Sequence, residues 1–255
     1  MNKINIFDYE ISSKGCFGDI EAVFDAIYSG KNGAYMACAN PHSLVKAGRD
    51  PVFKSALHNA DVLLPDGSGI VLAAKLLNLP LTEKVAGSDF FRECNKKADA
   101  TGNIRYFFLG SSEKVLSLMT ERLNRECPNV TVCGTYSPPF KPDFSDKDNT
   151  EMIKAVNEAK PDILWVGMTA PKQEKWIYEN RHRLNVPFSG AIGAVFDFYA
   201  GTKERSSQFW INLGLEWLPR FLKEPRRLWE RNIKSTPIFL WWVLLEMLKP
   251  KRNKN

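Results

Sequence analysis

Five short stretches of this 255-residue chain are rich in small residues, and four of them carry a polar or reactive side chain. They are Cys38-Ala39-Asn40, Pro65-Asp66-Gly67, Gly110-Ser111-Ser112, Gly167-Met168-Thr169 and Gly190-Ala191-Ile192-Gly193. Asp66 is the residue best suited to chemistry. A carboxylate in a glycine-opened turn can act as a general base, taking the proton from an attacking hydroxyl. An aspartate in such a turn more commonly stabilises the turn or caps a helix, and local sequence alone favours that use. Gly110-Ser111-Ser112 could hold a phosphate on backbone N–H groups, or it could be a turn with Ser112 as helix N-cap. Lys172 and Gln173, in Thr169-Ala170-Pro171-Lys172-Gln173-Glu174, could meet a phosphate or a sugar hydroxyl from the first turn of a helix, or be ordinary polar cap residues. Asp146-Lys147-Asp148 has Asp-x-Asp spacing. It lies in a polar stretch just before a helical pattern, where acids complement the helix dipole, so a solvated turn is expected. His42, His58 and His182 are isolated from one another and from the cysteines, and no metal site is predicted.

The elements that carry these stretches alternate. Ile20, Val23, Phe24, Ile27 and Tyr28 have the spacing of an amphipathic helix over 18–30. Short apolar runs at 34–39, 60–64, 104–109, 129–135, 162–166 and 188–192 read as buried strands. Helices are predicted from Pro41, over 70–77, from 113 to about 125, and over 151–159. Strands alternating with helices of this length predict βαβ units and a doubly wound, mostly parallel α/β sheet. Ligands of such sheets bind beyond the carboxyl ends of the strands, where all five stretches fall. A phosphate-bearing substrate suits that placement, since each following helix offers its N-terminus to an anion. No GxGxxG occurs, which counts against a nicotinamide- or flavin-dependent oxidoreductase.

Composition is that of an ordinary globular protein, 44% hydrophobic and 25% charged, which excludes fibrous, disordered and disulfide-scaffold classes. The five cysteines form no CxxC pair, and the N-terminus lacks the apolar core of a signal peptide, so a reduced cytoplasmic setting is predicted. The net charge of +6 is unevenly placed. Residues 216–255 hold ten Lys/Arg against four Asp/Glu, and the preceding 215 residues balance to zero. Four of the seven tryptophans lie in the same tail, among helical stretches at 210–221, 225–233 and 237–248. The run Ile238 to Leu245 is apolar but too short to span a bilayer. These features divide the chain into a core, residues 1–201, and a helical appendage, 202–255. A basic, tryptophan-rich helix suits an anionic membrane surface. An oligomer interface and a plain core helix remain alternatives, and nucleic acid fits least because the body has no basic groove.

Taken in order, several blocks resemble the WecG/TagA/CpsF family of bacterial glycosyltransferases. They are Asn40-Pro41, Ala60-Asp61 through Gly67, Val85-Ala86-Gly87-Ser88-Asp89, Phe108-Leu109-Gly110, Pro171-Lys172-Gln173-Glu174, the run from Gly190 to Gly201, and Glu216-Trp217 to Arg231. The resemblance implies a Rossmann-like core whose appendage covers the site and touches the inner face of the membrane. It implies an inverting transfer, without metal or cofactor, from a UDP-sugar to a polyprenyl-diphosphate-linked sugar. Asp66 matches the proposed catalytic base. Asn40 and Gln173 match polar residues near the donor sugar, and Asp197 one near the nucleotide. Arg220, Arg227 and Arg231 match tail arginines that offset charge on the diphosphate. Further substrate contacts are expected at Cys38, Gly67, Lys84, Gly110, Lys172 and Gly193. Two positions depart from relatives. Cys38 replaces a threonine, losing a strong hydroxyl donor, and Lys84 replaces an arginine, so a phosphate contact there would be a point charge rather than a fork. A nucleotide-binding oxidoreductase and a non-catalytic membrane scaffold are the rival readings.

Overall fold

A computed structural model describes residues 3–81, 83–204, 210, 229 and 234–249. The chain opens with an antiparallel hairpin, β1 (Lys3–Ile6) and β2 (Tyr9–Ser12), followed by α1 (Gly15–Tyr28). Then come β3 (Ala34–Ala39), α2 (Pro41–Ala47), α3 (Pro51–His58), β4 (Val62–Pro65), α4 (Ser68–Leu76) and α5 (Gly87–Thr101). The second half holds β5 (Ile104–Gly110), α6 (Glu113–Glu126), β6 (Val130–Tyr136), α7 (Asp146–Ala159), β7 (Ile163–Gly167), α8 (Lys172–Asn180), β8 (Phe188–Ala191) and α9 (Val195–Tyr199). The described C-terminal helix is α10 (Thr236–Leu248).

Six strands form one parallel sheet in the order β4-β3-β8-β7-β5-β6. Successive side chains of each strand enter opposite cores, which is why the strands read as continuous apolar runs. Tyr35, Ala37 and Ala39 of β3, with Leu164 and Val166 of β7, face a core shared with the hairpin, α2, α3, α4, α7, α8 and α10. Met36 of β3, Ile163 and Trp165 of β7, and Tyr106 and Phe108 of β5 face the core under α1, α5 and α6. The fold is therefore Rossmann-like, with helices on both faces of a parallel sheet.

The sequence reading predicts neither the β1–β2 hairpin nor helices α3, α5 and α9. The hairpin is short, and its turn uses Phe7 and Asp8, both at positive φ, rather than glycine or asparagine. Helix α5 buries Phe90, Phe91, Cys94 and Ala98 at helical spacing within a mostly polar stretch that hides the pattern. Helix α7 corrects an expectation. Asp146-Lys147-Asp148 does not precede α7 but forms its first turn, where Ser145 and Asp148 make a reciprocal cap.

Helix α10 is seated on α2, α4 and the hairpin turn. Its buried Phe239 meets Phe7 edge-on at 5.6 Å, and Trp242 meets the same ring at 5.8 Å. Trp242 also packs so close to Gly48, just past α2, that a Cβ there would lie 3.1 Å from its ring. At the other end of the pair, His42 Nδ1 and Ser235 Oγ are hydrogen-bonded at 2.8 Å. Ser235 therefore lies beside the start of α2 and Trp242 beside its end, so the two helices run parallel. The outer side of α10 leaves Leu240, Trp241, Leu244, Leu245, Met247 and Leu248 exposed. Among the described residues no helix is long and apolar enough to cross a membrane.

Candidate active site

The carboxyl edge of the sheet gathers most of the predicted residues. β3 ends at Ala39, and the next residue, Asn40, has an extended backbone and caps α2. Its Oδ1 accepts the Ser43 N–H at 2.9 Å, while its own N–H donates to Ser43 Oγ at 2.8 Å, a closed capping box. On the adjoining strand, β4 ends at Pro65, and the Asp66 N–H donates to the Ala39 carbonyl at 2.8 Å. That bond binds the Asp66 turn to the residue just before Asn40. Gly67 follows at φ 102°, a conformation that side-chain-bearing residues rarely adopt, and a Cβ there would be 3.9 Å from Asn40 Cβ. Asp66 and Asn40 are both half-buried. A carboxylate held by its backbone at a strand end, beside an amide, can receive a proton from a hydroxyl presented along that edge.

Other residues close around this pair. The Val85 N–H donates to the Pro65 carbonyl at 3.1 Å and so brings half-buried Lys84 to the end of β4. Two residues on, a Cβ on Gly87 would lie 3.4 Å from Cys38 Sγ and 3.9 Å from Val195 Cγ2. Gly87, at the start of α5, thus lies against both half-buried Cys38 and the start of α9. Asp197, on α9, receives Thr202 Oγ1 at 3.3 Å and Lys203 Nζ at 3.4 Å. A cavity of about 140 Å³ opens beside the same strand end, lined in part by Ser12, Lys14, Gly15, Pro65 and Glu83.

Further along the edge, Gln173 and Gly193 meet. Gln173 is buried on α8; the Met168 N–H donates to its Oε1 at 3.2 Å, and its Nε2 donates to Glu174 Oε1 at 2.8 Å. A Cβ on Gly193, in the turn after β8, would come within 3.3 Å of the same amide. The Gln173 amide thus spans two strand exits. Glu174 is the residue the sequence reading passed over. Its sequence signal is a glutamate three places after Pro171, which the structure shows to be the N-cap of α8. Burial pushes its carboxyl up to about 7, against the pull of the Gln173 amide.

Three expectations meet local structural demands. Gly110 has φ 122°, and a Cβ there would sit 2.5 Å from the Gly167 carbonyl oxygen, so the neighbouring strand alone requires glycine. Ser112 is the N-cap of α6, accepting the Val115 N–H. Lys172 turns to the loop before α7, where its Nζ donates to the Lys141 carbonyl at 2.6 Å and lies 3.7 Å from the centre of the Phe144 ring. Arg220, Arg227 and Arg231 lie outside the described residues. Among the described residues no cluster of three His, Cys, Asp or Glu side chains could hold a metal.

The geometry can be set beside known proteins. Residues 4–253 match the model of the Glycosyl transferase WecG/TagA/CpsF family. A protein of Bacillus spizizenii named N-acetylglucosaminyldiphosphoundecaprenol N-acetyl-beta-D-mannosaminyltransferase is 31% identical over 245 residues, covering 96% of this chain and 90% of that one. A Bacillus subtilis protein of the same name is 32% identical over 228 residues, covering 88% and 82%. One from Staphylococcus aureus, again so named, is 26% identical over 223 residues, covering 88% and 84%.

Proposed function

Because the chain belongs to the WecG/TagA/CpsF glycosyltransferase family, we propose that it moves an N-acetylmannosamine-type sugar from a UDP-sugar to a polyprenyl-diphosphate-linked N-acetylglucosamine, in cell-surface polysaccharide synthesis. The names of the relatives support both sugars and the lipid carrier. Family membership leaves the oxidoreductase and scaffold readings without support.

The observation that carries the reading is the pairing of Asp66 with Asn40 at adjoining strand ends, tied by the bond from the Asp66 N–H to Ala39. In the proposed mechanism Asp66 accepts the proton of the acceptor hydroxyl as that oxygen attacks the anomeric carbon. UDP leaves from the opposite face, which inverts the anomeric centre. Negative charge grows on the departing diphosphate and calls for fixed cations and N–H donors. Lys84 is the candidate among the described residues, and Arg220, Arg227 and Arg231 are the candidates in the appendage proposed for 202–255. The exposed apolar side of α10, followed by the basic C-terminus, suits contact with the cytoplasmic face of the membrane, where a polyprenyl carrier resides. The same side could alternatively pair two copies of the chain.

Asp66→Asn tests the base. Turnover is expected to fall by about 10²- to 10⁴-fold, with UDP affinity held within about twofold, as for loss of a general base. Transfer at the wild-type rate by this variant removes Asp66 from the mechanism.

A further inference from the structure

Glu174 occupies the third position of α8, where a glutamate ordinarily reaches back to the N–H of the N-cap residue. That role is closed here. The N-cap residue is Pro171, which has no N–H, and α8 has no side-chain cap. Glu174 turns inward instead and is 3% exposed. Its Oε1 accepts Gln173 Nε2 at 2.8 Å, and its Oε2 has no hydrogen-bond partner among the described residues. Burying a carboxyl with one oxygen unsatisfied is much costlier than burying an aliphatic side chain of similar size. On stability alone this position would favour leucine.

What the carboxyl does is visible in its neighbour. The two ends of a glutamine amide are nearly the same shape and differ only in donating or accepting. Between the Met168 N–H and the Glu174 carboxylate, one orientation alone satisfies both, with Oε1 toward Met168 and Nε2 toward Glu174. Met168 is the first residue after β7. The same amide lies against Gly193, whose N–H donates to the Val166 carbonyl at 3.3 Å in the turn after β8. Orientation of one amide therefore bears on the exits of two adjacent strands, both on the edge that carries Asn40 and Asp66.

We propose that Glu174 is a positioning residue of the transferase site: its carboxyl selects the orientation of the Gln173 amide and through it sets the turns that leave β7 and β8. The proposal rests on the transferase reading above and adds a residue to it.

The test compares Glu174→Leu, which keeps the volume and removes the acceptor, with Glu174→Gln, which keeps an acceptor. The assay follows transfer from UDP-N-acetylmannosamine to a polyprenyl-diphosphate N-acetylglucosamine. Glu174→Leu is expected to lose about 10- to 100-fold in kcat, the scale of a small misplacement of reacting groups, without a lower melting temperature. KM for the lipid acceptor is expected to stay within about twofold, as for an interaction realised at the transition state. Glu174→Gln is expected to recover kcat to within about threefold of wild type, because its carbonyl still accepts from Gln173. Wild-type kcat in Glu174→Leu, or equal losses in the two variants, overturns the proposal. Should Glu174→Leu fail to fold, Gly193→Ala crowds the same amide from the other side, and wild-type kcat in that variant overturns it equally.

A second readout does not depend on transfer. The Gln173 side-chain amide protons, assigned by their loss in Gln173→Met, are expected to be protected from exchange in wild type and Glu174→Gln. Equal exchange in wild type and Glu174→Gln as in a freely exposed glutamine overturns the positioning role. A wild-type protein that transfers from no UDP-sugar, yet keeps this protection, overturns the transferase reading alone.

Discussion

Two acidic residues hold the same place in two helices and behave in opposite ways. Asp148 is the third residue of α7 and Glu174 the third residue of α8. Asp148 is half-buried, closes a capping box with Ser145 and pairs with Lys141, and these partners hold its carboxyl down at about 2. Glu174 follows a proline that offers no N–H, turns into the protein, and is pushed up to about 7. Position in a helix therefore does not decide what an acid does. The residue at the N-cap does, because it determines whether the carboxylate has a backbone partner to stay outside for.

The contrast can be put to measurement. The largest effect is expected at Glu174. Its folded-state value lies above the ordinary 4.5, so the folded protein binds the extra proton, and the stability this confers is complete below about pH 4.5 and lost as pH rises through 7. Urea unfolding of wild type should show that decline, and Glu174→Gln should flatten it, standing more stable at pH 8 by on the order of 2–3 kcal/mol. A wild-type curve without the decline would mean that the carboxyl is not held out of water. A middling effect is expected of Ser145→Ala, which removes the hydroxyl that accepts the Asp148 N–H. It should cost about 1 kcal/mol at neutral pH and leave sugar transfer untouched. Lost transfer in that variant would mean the two helix starts are not independent. The smallest effect is expected of Asp148→Asn. Asp148 has a depressed value, so its contribution is present above pH 3.8 and disappears as pH falls through about 2. Acid titration of unfolding should show the variant and wild type converging there; a gap that persists at pH 2 would assign the effect to something other than the charge.

The sheet was legible because its strands are apolar on both faces, which leaves no other explanation for runs such as Ala34–Ala39 and Ile163–Gly167. The strand ends were legible for a related reason: apolar runs stop abruptly at Asn40 and at Asp66. Helix α5 was not, since half its length is polar and its buried residues declare themselves only once α1 and β5 are in place. The hairpin was hidden by a turn built on Phe7 and Asp8, both at positive φ, in which the Asp8 N–H donates to Asn5 Oδ1 and the Phe7 ring packs on α10. Within the site, order along the edge could be read but contacts could not. Lys172 is tied to a carbonyl 31 positions earlier, and Gln173 lies against Gly193 beyond β8, partners that only the fold brings together. Gly110 reads from sequence as either part of a phosphate loop or a turn residue, and the close approach of the Gly167 carbonyl is a constraint that only the fold reveals.

The seat of α10 has a consequence for how the protein is made. Phe239 and Trp242, the rings Phe7 packs against, follow it by more than 230 positions in the chain. The core on that side of the sheet therefore stays open until those residues have been made. The hairpin, α2 and α4 wait with apolar surface uncovered until α10 emerges and closes it. A chain stalled or clipped ahead of α10 would be left with that surface exposed, a ready target for the chaperones and proteases that survey unfinished proteins.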